Sequence, residues 1–288
     1  MKAAPNERFF NDLNKKFVKD IFNQMSTPIQ THNDGKILIS GAARTGKSEQ
    51  IISRIEEYVK SSTKFLLIVP TTDYQNRYKQ LIAKYVGGLF DSPVFSLKEL
   101  IKNIEQQSQQ TSYGNAQNYE LNRIVSDIIE EKVSAGKLRY FKEASKLLGF
   151  SGELLKLFGE FTQSMIEPDD LLELKLDWNQ EQKLSEIRLL FQAYLDECDD
   201  QKIGDIDFRL KKVIEYLSTE NSIFNDVQAI IVDGFYDYNP LQKKLFQILF
   251  KTINDVLVTH LYDENRKNVF EYSERSINLF DGFKIVPP

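Results

Sequence analysis

The sequence predicts an α/β fold: a parallel sheet with helices on both faces, interrupted by an all-helical insertion. Three observations predict it. Short apolar runs recur at Lys36–Ser40, Lys64–Val69, Gln228–Val232 and Val256–Thr259, the pattern of strands covered on both faces. Apolar residues at helical spacing follow these runs. Between Tyr119 and Leu217 the strand pattern nearly vanishes and helical stripes replace it.

The elements follow in order. Lys36-Ile37-Leu38-Ile39-Ser40 enters a glycine-bearing loop, after which Ile51, Ile52, Ile55 and Tyr58 recur as one helix face. Phe-Leu-Leu-Ile-Val within Lys64–Val69 is a second buried strand that Pro70 closes. A helix over Asp73–Tyr85, then Gly87-Gly88, leads to a third strand at Pro93–Phe95 and a helix at Leu97–Ile104. Glu105–Asn118, rich in Gln, Ser and Asn, reads as a flexible loop. Leu121, Ile124, Val125, Ile128, Ile129 and Val133 form one helical stripe. Leu184, Ile187, Leu190, Phe191, Tyr194 and Leu195 form another. Strand character returns at Gln228–Val232 and Val256–Thr259, with a helix at Leu241–Phe250 between them. The domain expectation is therefore 1–104 plus 218–288, with an insertion over 105–217.

Bulk properties exclude several classes. Apolar residues make up 41% and charged residues 27%, so the chain has a core to bury and is not a disordered polymer. A net charge of −5 and a pI near 5.4 leave no basic footprint, so any nucleic-acid contact is local or belongs to an assembly. The single cysteine, Cys198, excludes an internal disulfide and a cysteine cage for zinc or iron–sulfur. His32 and His260 stand far apart, without an acidic cluster at metal-ligand spacing. Met1–Phe22 is too polar for a signal peptide. Its Phe9, Phe10, Leu13, Phe17, Ile21 and Phe22 suit an amphipathic helix. The longest apolar run, Phe65–Val69, is too short to span a membrane, and a cytoplasmic setting is expected.

The loop after the first strand carries the chemistry. Gly41-Ala42-Ala43-Arg44-Thr45-Gly46-Lys47-Ser48 satisfies G-x-x-x-x-G-K-[ST] in full. Its glycines let backbone N–H groups form a nest for phosphate oxygens, and the helix it opens adds a positive end. Lys47 supplies a point charge for the terminal phosphates, and Ser48 a hydroxyl for Mg²⁺. A chance match in a chain this long is on the order of one in a hundred. Arg44 has two open readings, a phosphate contact or an ion pair with a nearby acid. Nothing in the loop separates ATP from GTP.

A P-loop ATPase also needs an aspartate at the end of a neighbouring strand to hold Mg²⁺ through water. Ala229-Ile230-Ile231-Val232-Asp233 supplies it. The next position, where ATPases place a glutamate base, is Gly234. Loss of a positioned base costs roughly 10²–10⁴-fold in rate, so the expectation is a nucleotide held rather than turned over.

Val232-Asp233-Gly234-Phe235-Tyr236-Asp237-Tyr238-Asn239-Pro240-Leu241-Gln242 resembles motif II of UvrD-like superfamily 1 helicases, with Gly for Glu and Tyr for the following Gln. Asp-Gly-Phe followed by an aromatic and Pro-x-Gln is more similar to the AddB-type subunit of bacterial ATP-dependent helicase–nucleases. Leu67-Ile68-Val69-Pro70, Val94-Phe95-Ser96-Leu97-Lys98-Glu99-Leu100, Leu148-Gly149-Phe150, Glu160-Phe161, Asp205-Ile206-Asp207 and Val258-Thr259-His260-Leu261 with Phe270 resemble further segments of that family. The resemblance implies a RecA-like sheet, a role in double-strand-break processing, DNA contact within an assembly, and an active AddA-type helicase partner. It also implies a second motor domain and a carboxy-terminal nuclease that lie outside this sequence, so an amino-terminal fragment or a short gene product of the same descent is expected. The family's iron–sulfur cysteines have no counterparts here.

One motor core does not complete such an enzyme. The second motor domain supplies an arginine worth roughly 10³–10⁵ in rate. The γ-phosphate-sensing Gln is missing after Val256–Thr259, where Leu261-Tyr262-Asp263-Glu264-Asn265 follows. An active superfamily 1 fragment that needs only its missing half is the alternative. A different P-loop enzyme, such as a kinase, finds only Asp263–Arg266 as a weak lid. Thr71, Thr72 and Ser96, just past the second and third strands, are candidate hydrogen-bond donors to DNA phosphates, although such positions also serve as helix caps. Lys211-Lys212 and Lys243-Lys244 read as solvated faces.

Overall fold

A computed structural model describes residues 35–87, 92–108, 112–172, 178–220, 222–262, 273 and 276–288. The expected amphipathic helix at Met1–Phe22, His32, and the segment Asp263–Arg266 with Phe270 lie outside the described residues. The chain divides into two compact units within helix Ile206–Thr219. One holds 35–108 with Val213–Pro288, the other the described part of Gln109–Lys212.

The first unit is a six-stranded, all-parallel sheet. Its strands are β1 (Lys36–Gly41), β2 (Phe65–Val69), β3 (Val94–Ser96), β6 (Ala229–Val232), β7 (Asp255–Leu261) and β8 (Lys284–Val286), in the order β3-β2-β6-β7-β1-β8. All four residues of β6 are buried, and Leu38, Leu67, Ile68, Ile230, Val256 and Val258 are at 0% exposure, which is why these strands read as unbroken apolar runs. Helices α1 (Lys47–Lys60) and α2 (Thr72–Val86) bury Ile51, Ile52, Ile55, Tyr58, Tyr78 and Ile82 in one cluster with Ile39, Leu67, Val69, Ile231 and Leu257. Helix α8 (Pro240–Thr252) packs Phe246 and Phe250 into an aromatic chain with Phe235, Tyr238, Phe280 and Phe283. An Asn239–Gln242 capping box and Pro240 at its first turn fix where α8 starts. Helix α3 (Leu97–Gln107) follows β3 directly.

The register fixes the edge that matters. Strand β7 lies between β1 and β6, pairing Ile39 with Thr259 and Val232 with Val258. The loop after β1, the Thr71-Thr72 turn after β2, Ser96 in β3 and Asp233 after β6 therefore share the carboxyl edge, where open α/β sheets bind ligands. β8 pairs beside β1, a strand the sequence pattern does not anticipate.

The second unit is built from α4 (Asn118–Ser134), α5 (Phe150–Gln163) and α6 (Trp178–Asp200), with the start of α7 (Ile206–Thr219). Phe158 stacks on Phe191 and Tyr194 in its core. Glu186 accepts the backbone N–H groups of Arg139 and Tyr140 at 2.7 Å and of Phe141 at 2.9 Å. A two-stranded parallel bridge, β4 (Gly114–Asn115) with β5 (Ile203–Gly204), adds to the helices. The stretch read as a flexible loop over Glu105–Asn118 thus contains the end of α3 and β4. Among the described residues no helix is long and apolar enough to cross a membrane.

Candidate nucleotide site at the carboxyl edge of the sheet

The Gly41–Ser48 loop joins β1 to α1. Gly46 takes φ +96° at the helix N-cap, and Arg44, exposed, takes φ +63°. Left-handed backbone at two positions gives the turn its tightness. A Cβ built on Gly41 would come within 2.5 Å of Pro288 Cγ and 3.2 Å of Thr45 Oγ1, so glycine is required there as well. Thr45 Oγ1 donates to Ala42 O at 2.8 Å. Lys47 Nζ folds back onto the loop, donating to Gly41 O at 2.6 Å and to Ala42 O. Burial lowers the pKa of Lys47, and the charge of Asp233 partly offsets that.

Asp233 is 9% exposed at the end of β6. Its Oδ2 accepts the Tyr78 hydroxyl at 2.7 Å, and its Oδ1 accepts the Thr259 hydroxyl. The Ser48 hydroxyl also hydrogen-bonds the Tyr78 phenol. Ser48 and Asp233 are thus joined through one side chain.

Gly234 has φ +84°, and a Cβ there would stand 2.8 Å from Tyr74 Cε1, 2.9 Å from Tyr74 Cδ1 and 3.2 Å from Pro70 Cδ. Tyr74 in turn hydrogen-bonds the exposed Tyr236 through their hydroxyls at 2.6 Å. That bond, with burial, pushes the Tyr74 phenol up to about 12. The place of a glutamate base is therefore filled by an aromatic ring that stays protonated at neutral pH. His260 is fully buried, with Tyr262 and Phe280 as ring neighbours and Nε2 3.0 Å from Ser273 O. Burial, the first cause, lowers its pKa.

This sheet order, loop and aspartate coincide with a known family. The family model "ADDB, N-terminal" matches residues 38–284. The chain belongs to the ADDB N-terminal family. The match takes in the phosphate-binding loop from its first glycine, Tyr78, Asp233 and Thr259. Three ADDB-type relatives, each named as a subunit of an ATP-dependent helicase/deoxyribonuclease, set the scale. The protein of Carboxydothermus hydrogenoformans is 27% identical over 86% of this chain and 23% of its own length. That of Listeria innocua is 25% identical over 77% of this chain and 19% of its own. That of Bacillus subtilis is 21% identical over 85% of this chain and 22% of its own. The chain thus spans about a fifth of these relatives.

The sequence-derived site residues fall as follows. Lys47, Ser48 and Asp233 gather at one place. Thr71 and Thr72 are exposed at the same sheet edge, with Thr71 capping α2 through Tyr74 N. Ser96, 1% exposed, caps α3 by accepting Glu99 N at 3.3 Å. Sequence patterns do not single out Tyr74, Tyr78 and Thr259 as site residues. The available signal was Thr259-His260 inside an otherwise apolar buried strand, since buried polar groups need partners.

Proposed function

We propose that this chain is the ATP-binding, helicase-like module of a DNA-end-processing helicase–nuclease subunit, acting in double-strand-break repair and holding ATP without efficient turnover by itself. One observation carries the proposal. A complete phosphate-binding loop faces Asp233, while the position that would bear the base is a left-handed glycine under Tyr74.

The parts of the reading follow from chemistry. Lys47 exchanges the carbonyls of Gly41 and Ala42 for phosphate oxygens, and the loop N–H groups with the α1 N-terminus complete the cradle. Ser48 and Asp233 fit Mg²⁺ carried in on the nucleotide, because both bond the one Tyr78 hydroxyl. When bound, that ion would neutralise charge on the terminal phosphates. Tyr74, protonated to about pH 12, leaves water beside the γ-phosphate without a base. The name of the relatives supports membership of an assembly on DNA, with an AddA-type helicase as partner in the cytoplasm. Thr71 and Thr72 are the exposed candidates for DNA phosphate contact.

Calorimetry of ATP–Mg²⁺ with wild type and Lys47→Ala tests the loop. Removing the lysine should weaken binding by roughly 10–100-fold, the size of one lost charge-assisted hydrogen-bond set. Equal affinity in both proteins removes the claim. In a parallel hydrolysis assay with DNA, turnover near 1 s⁻¹, roughly the low end for positioned phosphoryl transfer, favours the active-fragment alternative.

A further inference from the structure

The surroundings of Asp233 say more than that it is present. In a magnesium-dependent P-loop site, such an aspartate meets the ion through water, and those waters reach it as hydrogen-bond donors. Here each carboxylate oxygen already has a donor from the protein, Tyr78 on Oδ2 and Thr259 on Oδ1. Neither donor is a loose surface group. Tyr78 is 1% exposed within the core cluster beneath α1 and α2. Thr259 is 3% exposed and held by the pairing of β7 with Ile39 of β1. Ser48, the other group that would meet the ion, hydrogen-bonds the same phenol.

We propose that Tyr78, with Thr259, does for Asp233 what the waters of a bound magnesium ion would do, so that the loop takes a nucleoside triphosphate with little help from the cation. This rests on the proposed nucleotide-binding reading and deepens it. A water brought by the ion reaches either oxygen by competing with a buried hydrogen bond to a charged group. Such a bond is worth roughly 10–100-fold in an equilibrium. That competition offsets what the ion gains at this carboxylate. The triphosphate still finds positive charge at Lys47 and at the α1 N-terminus. Burial first, and then the charge of Asp233, pushes the Tyr78 phenol far above its ordinary value, so it remains a donor throughout the physiological range.

The test is calorimetric titration of the 288-residue chain with ATP, once in excess Mg²⁺ and once in EDTA. Wild type should show affinities within about threefold of each other, less than the worth of one charged hydrogen bond. Tyr78→Phe deletes only the donor, and its ratio between the two conditions should widen to about tenfold or more. Lys47→Ala should weaken binding in both buffers, which assigns the signal to the loop. If wild type loses about tenfold or more in EDTA while Lys47→Ala still reports on the loop, the inference fails and the nucleotide-binding reading stands. If Tyr78→Phe remains as indifferent to the cation as wild type, the assignment to Tyr78 fails. No binding by wild type in either buffer removes both readings. Should Tyr78→Phe melt far below wild type, Thr259→Val provides the second variant, since it removes the donor on the other oxygen at nearly constant volume.

Discussion

Gly234→Ala should destabilise this protein far more than a one-carbon change suggests. At φ +84° an L-residue costs about 1–2 kcal/mol. The new Cβ would also lie 2.8 and 2.9 Å from the Tyr74 ring and 3.2 Å from Pro70. Forcing a group into such a contact costs about 1–3 kcal/mol. The sum centres on about 3 kcal/mol, and at about 2–4 °C per kcal/mol for units of this size the melting temperature should fall by about 6–12 °C. Thermal unfolding followed by far-UV circular dichroism reads it. Gly234→Ala combined with Tyr74→Ala separates the two contributions, because removing the ring relieves the collision but leaves the backbone cost. Gly234→Glu should melt early too and gain no ATP turnover. A Gly234→Ala protein that melts within about 2 °C of wild type, well inside one kcal/mol, would refute the argument, as would a stable Gly234→Glu protein that hydrolyses ATP.

Further outcomes follow from the helical unit. Lys183 is buried, and desolvation lowers its pKa to about 7. Below that pH both folded and unfolded states carry the charge and the burial penalty is fully present. Between about 7 and the ordinary lysine value of 10.5 only the unfolded state is charged, so the stability due to this group rises with pH across that window. Lys183→Met should be more stable than wild type at pH 6, with the difference shrinking towards pH 10 when melting curves are compared across pH. A constant difference contradicts the assignment. Glu186→Ala strips the acceptor from three backbone N–H groups and should cost about 2–4 kcal/mol by urea denaturation, whereas Glu186→Gln, which keeps one acceptor oxygen, should lose less.

Those parts of the site that depend on local chain were legible, and those that depend on packing between elements were not. Four fixed residue types in eight positions identify the loop, and a carboxylate ending an apolar run identifies Asp233, because both requirements are met within one strand and its turn. The glycine after Asp233 was legible as a missing base, but its positive φ and the ring above it were not. Tyr74 and Tyr78 sit in an amphipathic helix, where aromatic residues at this spacing ordinarily fill a core, and Tyr78 does so except at its hydroxyl. Only the β6–β7 register shows that Thr259 and that hydroxyl meet on one carboxylate. Ser96 illustrates the converse. Its place at a strand end was read correctly, and its hydroxyl is turned inward as a helix cap. Strands β4, β5 and β8, of two or three residues each, are too short to carry a period.

The two departures from an active motor site belong to one packing arrangement. Tyr74 and Tyr78 are four residues apart on α2, so they project from the same face. Tyr78 reaches Asp233, and one turn earlier Tyr74 lies over Gly234. Any side chain at 234 would collide with Tyr74, so the ring and the glycine are mutually dependent. Tyr236 hydrogen-bonds Tyr74 and holds the ring in place. On the proposed reading, the helix that fixes the magnesium-facing aspartate therefore also closes the position of the base. Restoring a glutamate requires that Tyr74 leave and that the backbone at 234 abandon its left-handed turn, which shifts the chain directly after Asp233. Hydrolysis is then separated from this structure by several coupled changes rather than one, and non-additive energies between positions 74 and 234 in a double-mutant cycle are the measurable sign of that coupling.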